Sequence, residues 1–354
     1  MDKDLKTSVE EQNRLSSANA GNPDRAVSLR SHISITSSTD IHYSAIIDEK
    51  NSGFGMPFVK RELHGIDPEI IESRQELEEI IDYGTAKTET QDVLETITDT
   101  GVVQQELVKS VSVGLSNRLG TVKSSKIVSL INALAPVDEY LQRHCINVGL
   151  INGLFGKWLG MSKDDVDTLV LAGLLHDCGK ALVPARILQA PRKLTVSEYE
   201  VIKMHSLHSY ALLEEFPDTV RRAARNHHES FDGGGYPDYQ SELDISLFAR
   251  ISSISDVYDA IVSQRAYKKA SSPFHALDVI ARCRGSDLDP SLVDVFFKRM
   301  LPDLVEKPVI MSDGTVGIVR DFNPACPKYP TVEVNGQVIE SDENWFCVAM
   351  YIEE

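Results

Sequence analysis

The sequence predicts a mainly α protein: a helical bundle core, a helical or irregular region before it, and a small β-rich appendage after it. Three observations carry this expectation. Between about Ile127 and Met300, segments with helically spaced apolar residues follow one another across polar or Pro/Gly punctuation, with almost no period-2 alternation. After Pro302 the pattern changes to short runs rich in Val and Ile. The 354 residues, 42% of them apolar and 25% charged, leave room for a substantial core and exclude a wholly disordered or collagen-like chain.

Residues 1–65 are polar and Ser-rich, as in the stretch from Ser28 to Asp40, and sustain no apolar period, so a flexible or weakly ordered segment is expected. In residues 66–126 a helical region of unassigned role is expected. Its signals are Pro68–Glu72, Leu77–Ile81, and Leu107, Val111, Leu115 and Leu119 within the span Val102–Ile131. The core is expected over residues 127–303. There Asp164 and Asp165 precede the apolar run Leu169–Leu175, as at a helix N-terminus leading into a buried interior, and Ile251, Ile254, Val257, Tyr258 and Ile261 form a second helical stripe. Residues 304–354 hold Val309–Met311, Val316–Val319, Val332–Val334 and Gln337–Ile339, the last two joined by Asn335-Gly336, a strong hairpin signal because both turn positions need positive φ.

Charge and cysteine usage narrow the function classes. Lys and Arg number 36 against 53 Asp and Glu, a net charge of −17 that argues against binding a DNA or RNA polymer or an acidic membrane with the whole surface. An anionic ligand therefore needs a local positive site. Five cysteines without a C-x-x-C pair fit reduced intracellular thiols. The N-terminus shows no signal-peptide pattern, and the longest apolar run is far below the ~20 residues that span a bilayer, so no membrane insertion and a cytoplasmic location are expected.

Chemistry concentrates in the helical core, where His144, His176, His205, His227 and His228 are accompanied by Asp177, directly after His176, and by Asp256. Imidazole and carboxylate suit divalent iron, manganese or zinc, and a carboxylate can bridge two ions. Each histidine by itself is more often a packed or capping residue than a ligand. His176 and Asp177, however, end an apolar helix, where unpartnered polar groups cost ~2–7 kcal/mol even when neutral, so a partner is required and a metal supplies one. Lys180 lies four residues after His176 and three after Asp177, on the same face if the helix continues.

In order, these residues form His144, HDCGK at His176–Lys180, His205, HHE at His227–Glu229, DGGGYP at Asp232–Pro237 and DVYDA at Asp256–Ala260. This series resembles the HD-GYP phosphodiesterases, a branch of the HD metallohydrolases. The likeness extends from about Val137 to Ser271 and includes Arg265–Ala270, RAYKKA. It implies an HD-type helical bundle holding two divalent metal ions, iron or manganese, that hydrolyses cyclic di-GMP to pGpG or GMP by a bridging hydroxide and so lowers a bacterial second messenger. It further implies that His144, His176, Asp177 and Asp256 hold one ion, that Asp177 bridges to a second held by His205, His227 and His228, that Lys180 steadies a phosphate oxygen during catalysis, and that Arg265 and Lys268 bind substrate phosphates.

Several positions depart from the family pattern. The Glu that supplies a third metal site in a subset of members is Tyr140 here, the usual Pro after the third His is Ser206, and the common Ser or Thr of the GYP motif is Gly234. None removes a ligand, and two metals remain the expectation. Two other readings stand beside the enzyme. One is a cyclic dinucleotide receptor acting through a partner protein, which loss of His176, Asp177 or Lys180 would have favoured; the other is a mononucleotide HD hydrolase, against which His205, the His pair and the GYP loop count. Cys178 is expected to be a small packed residue, and a homodimer or a signalling partner is left open.

Overall fold

The computed structural model describes residues 71–132, 140–188, 190, 192–263, 271–323 and 326–352. The expected weakly ordered start, residues 1–65, lies outside them. Among the described residues twelve α-helices come first: α1 (Arg74–Ile81), α2 (Tyr83–Thr100), α3 (Gln105–Thr121), α4 (Ser124–Ile131), α5 (Tyr140–Trp158), α6 (Lys163–Leu175), α7 (Ala185–Leu188), α8 (Val196–Leu212), α9 (Asp218–Asn226), α10 (Leu247–Val262), α11 (Pro273–Arg282) and α12 (Pro290–Leu304). A 3₁₀ turn, Cys178–Leu182, sits between α6 and α7. Five strands follow: β1 (Pro308–Met311), β2 (Val316–Asn323), β3 (Cys326–Val334), β4 (Gln337–Glu340) and β5 (Cys347–Met350), in the antiparallel order β4-β3-β2-β1-β5.

The helices begin where short polar side chains can take up free backbone N–H groups. Ser162 caps α6 by accepting from the Asp165 N–H, with Asp164 and Asp165 in the first turn facing the positive end of the helix dipole. Thr195 and Glu198 form a reciprocal capping box at α8, while Ser272 and Asp289 cap α11 and α12 just before a proline at the first helical position. In α6, residues Leu169–Leu175 are all buried, which makes it the central helix of the bundle.

Helix α5 crosses α6 at two glycines. A Cβ on Gly173 would lie 2.6 Å from the Cα of Gly149, so only hydrogen fits between the two backbones. This close crossing lets His144 near the start of α5 meet His176, which caps the end of α6.

The N-terminal region differs in detail from the sequence expectation. Residues 71 and 72 are not helical, and the first helix starts at Arg74 after Ser73. Helix α2 carries several threonines and a glycine, poor helix formers, and its Val93, Leu94 and Ile97 are held by burial rather than by propensity. The span Val102–Ile131 is two helices, α3 and α4, separated at Val122 and Lys123.

The Asn335-Gly336 turn has both residues at positive φ, 51° and 78°, and joins β3 to β4 with Val334 opposite Gln337. Strand β5 was not anticipated; it returns to pair with β1 beyond the hairpins. The inner face of the sheet (Val309, Met311, Val319, Val332, Met350) shares one apolar core with Phe274 and Leu277 of α11 and Phe296 of α12, so helices and sheet bury each other. Among the described residues no helix is long and apolar enough to cross a membrane.

The glycine crossing yields a paired prediction. Gly173→Ala should lower stability by about 1–3 kcal/mol, because the two backbones must separate. Gly114→Ala, in open space on α3, should raise it by ~0.5–1 kcal/mol. Urea unfolding of the two variants beside the parent chain measures both.

Candidate metal centre

Six side chains converge from five helices. His144 comes from α5, His176 and Asp177 from the end of α6, His205 from α8, His227 from the end of α9, and Asp256 from α10; all six are buried. His228 follows His227, and its ring centroid lies 4.0 Å from that of its neighbour.

Asp177 organises the group. Its Oδ1 lies 3.2 Å from His205 Nε2 and 3.7 Å from His227 Nε2, while its Oδ2 lies 3.4 Å from His144 Nε2 and 3.3 Å from His176 Nε2. One carboxylate thus faces two sets of imidazoles, one with each oxygen. Asp256 joins the second set, its Oδ1 standing 3.2 Å from His144 Nε2. Two groups of ligand atoms able to hold a metal ion result, His144/His176/Asp177 and Asp177/His205/His227/His228, each within 4.8 Å of one another.

The rings are aimed by their other nitrogens. Nδ1 of His176 donates to the carbonyl of Gly173 at 2.7 Å, that of His205 to Ile202 at 2.7 Å, and that of His227 to Ala224 at 3.0 Å. Each acceptor is three residues back along a helix, and each bond leaves the Nε2 lone pair directed at the centre. His144 Nδ1 donates instead to Asp259 Oδ2 at 2.7 Å.

The donors fit divalent cations. Nε2 of His176 and of His228, Oδ1 of Asp177 and Oδ1 of Asp256 are buried without a hydrogen-bond partner among the described residues, a condition that costs several kcal/mol per group unless a cation satisfies them. Their charge states suit that role. Burial opposes the Asp177 charge, yet Lys180 and His176 hold its carboxyl well below the usual range, and His144 does the same for Asp256. Burial, with His176 beside it, pushes His227 down to about 3; His228 is likewise pushed down by burial and by His227. His144 is the exception: burial disfavours its charge, but Asp177, Asp256 and Asp259 outweigh it and hold the ring at about 10, so a metal ion would have to displace the Nε2 proton there. Anionic carboxylates and neutral imidazoles are the forms that ligate iron, manganese or zinc.

Residues 129–292 match the family model described as HD domain. This region of the chain is an HD domain. Among its relatives is a cyclic di-GMP phosphodiesterase of Pseudomonas aeruginosa, 33% identical over 211 residues, covering 59% of this chain and 50% of that protein. A 3′3′-cGAMP-specific phosphodiesterase of Vibrio cholerae is 32% identical over 190 residues, covering 52% of this chain and 41% of that one. This chain therefore spans about half or less of the length of the curated relatives it matches. A solved HD-GYP-like protein of Bdellovibrio bacteriovorus shares the fold, with a TM-score of 0.52 at 17% identity over 67% of this chain and 74% of that one.

The glycine-rich loop of the HD domain closes over one side of the cluster. A Cβ on Gly235 would lie 2.2 Å from the Ser230 nitrogen and 2.5 Å from the His228 carbonyl oxygen, so the loop reaches the His pair only through glycine. The Tyr236 ring then stacks on His228 at 4.8 Å and 25°. Glu229 anchors the far end by accepting from the backbone N–H groups of Asp238 at 2.6 Å and Gln240 at 3.0 Å.

The structure brings together His144, His176, Asp177, His205, His227, His228 and Asp256. It also places the almost fully buried Lys180 ammonium on Oδ2 of Asp177. The α-helix does not continue to Lys180, the condition on which the sequence reading rested; α6 ends at Leu175, and the 3₁₀ turn, at three residues per turn, sets Lys180 on the same side as Asp177. Arg265 and Lys268 lie outside the described residues. Cys178 is packed, with burial pushing its thiol up to about 12. Sequence reasoning passed over Asp259, one turn after Asp256, whose spacing on the helical stripe was the available signal, and Lys203, whose ammonium lies 5.6 Å over the Tyr236 ring.

Asp259→Asn keeps the shape of the His144 partner and removes its charge. Manganese affinity at the His144 site should fall about 10- to 100-fold, measured by titration of the metal-free protein.

Proposed function

We propose that the chain is a metal-dependent phosphodiesterase that hydrolyses a cyclic dinucleotide, cyclic di-GMP foremost, through a two-metal centre. One observation carries the reading: the two oxygens of Asp177 face two separate sets of imidazoles. The names of the relatives support the substrate class and include both cyclic di-GMP and 3′3′-cGAMP. In this reading the chain acts in the cytoplasm and lowers a bacterial second messenger, with pGpG or GMP as product.

His144, His176 and Asp256 would hold one ion, His205, His227 and His228 the other, and Asp177 both. When bound, two such ions activate a water as nucleophile and neutralise charge gathering on the phosphoryl oxygens. The protein's own groups do the rest. Asp177 sets the separation of the two sites, and the backbone carbonyls of Gly173, Ile202 and Ala224 keep three rings aimed. Lys180 supplies a buried positive charge beside the cluster, where a phosphoryl oxygen would meet it. Arg265 and Lys268 remain the assigned phosphate contacts on the strength of the resemblance, two of the local cations that a chain of net charge −17 needs for an anionic substrate.

Metal analysis after anaerobic reconstitution should give two ions per chain. Asp177→Asn should weaken both, whereas His205→Ala should empty mainly one; one ion or fewer in fully active protein would rule out the two-metal reading.

Turnover of cyclic di-GMP and 3′3′-cGAMP with manganese or ferrous iron tests the activity itself. Tight binding with no conversion by metal-replete protein would make the pocket a sensor and overturn the catalytic reading. Lys180→Ala should preserve substrate binding better than rate, raising the barrier by ~2–4 kcal/mol, roughly 30- to 1000-fold in turnover.

A further inference from the structure

We propose that Tyr83, at the start of α2 and outside the HD domain, is a positioning residue of the metal centre that fixes His144 through Asn147 and Asp259. The inference rests on reading the cluster as a metal centre. Tyr83 follows Asp82, whose positive φ of 58° ends α1 and turns the chain so that the tyrosine points into the bundle, where it is fully buried. Its hydroxyl donates to Asn147 Oδ1 at 2.8 Å, with the Arg143 carbonyl at 3.3 Å as second acceptor. Asn147 stands three residues after His144 on α5 and donates from Nδ2 to Asp259 Oδ1 at 2.7 Å. The other oxygen of Asp259 accepts the His144 Nδ1–H at 2.7 Å.

Asn147 is the step that needs Tyr83. A buried amide has a donating end and an accepting end, and only its NH₂ can face a carboxylate without repulsion. The phenol O–H occupies the amide oxygen and so holds the NH₂ toward Asp259. Burial pushes the Tyr83 phenol up and keeps that donor in place. The ring is itself held: the Arg143 guanidinium lies 4.8 Å over its face and pairs with Glu78 of α1 at 3.1 Å. The N-terminal helices thus reach a metal-facing imidazole by a continuous series of hydrogen bonds among side chains that are at most 1% exposed from Tyr83 to His144.

The test is Tyr83→Phe in the full chain, which keeps the ring and its cation contact and removes only the hydroxyl. Tyr258→Phe is the comparison, because Tyr258 is equally buried and, although it precedes Asp259 directly in the chain, its hydroxyl donates to Asn132 at 3.1 Å and not into the series that ends at His144. Manganese binding is followed by the paramagnetic resonance of the free ion, and stability by urea unfolding of the metal-free protein. Tyr83→Phe should raise the Kd of the ion held by His144 about tenfold, the ion being identified as the one His144→Ala loses, while Tyr258→Phe leaves it within about twofold at a similar loss of stability. In an Asn147→Leu background, where the series is already cut, Tyr83→Phe should add less than about twofold. Equal metal affinity in wild type and Tyr83→Phe, equal effects of the two tyrosine variants, or an undiminished tenfold effect on top of Asn147→Leu would each overturn the assignment. None of these readouts uses turnover, so a wild-type protein that hydrolyses no cyclic dinucleotide would overturn the proposed activity and leave this inference to be decided by the metal titration.

Discussion

A carboxylate with no exposure to water is the constraint around which this molecule is arranged. Asp177 is fully buried, and a buried charge is tolerated only when cations or strong hydrogen-bond donors surround it. Helix α6 delivers it into the middle of the bundle, four other helices bring imidazoles and another carboxylate to meet it, and the turn just after α6 brings an ammonium. The two oxygens look in different directions, which turns one residue into the shared wall of two ligand sets.

Helix geometry supplies much of the surrounding order. His176 and His227 occupy helix C-caps, where carbonyl oxygens of the last turn lack backbone partners and are available to an imidazole N–H. His205 uses the carbonyl of Ile202 in the same relation within α8. His144 sits inside α5 and finds its partner in Asp259 of another helix instead. Its orientation therefore depends on the packing of α5 against α10, and through Asn147 on the placement of the N-terminal helices.

Under the proposed function an acidic chain has to admit an anionic ligand. A net charge of −17 would repel a phosphodiester from most of the surface, at a range limited by ionic screening to roughly 10 Å. At the cluster, Lys180 is buried against Asp177, and Lys203, paired with Glu200 at 2.6 Å, lies over the rings of Tyr199 and Tyr236 at the edge of the glycine-rich loop. Two of the metal-capable imidazoles, His227 and His228, are held neutral by burial and by neighbouring imidazoles, which leaves their ring nitrogens open to a metal ion.

The sequence by itself determined the fold class, the candidate ligands and the hairpin of the sheet, because each has a local cause. Apolar spacing sets helices, Asn335-Gly336 sets a turn, and the motifs from His144 to Asp256 keep their order along the chain whatever the packing. Tertiary structure alone decided what depends on contact between distant segments. Helix α2 has weak local signals and is carried by the burial of Val93 and Ile97; β5 exists because β1 offers it an edge; and the assignment of each Asp177 oxygen to its own imidazoles follows from how five helices cross. Asp259 and Tyr83 are in the same position: spacing can put Asp259 on the face of Asp256, but nothing local ties it to His144, 115 residues away, or ties Tyr83 to Asn147, 64 residues away.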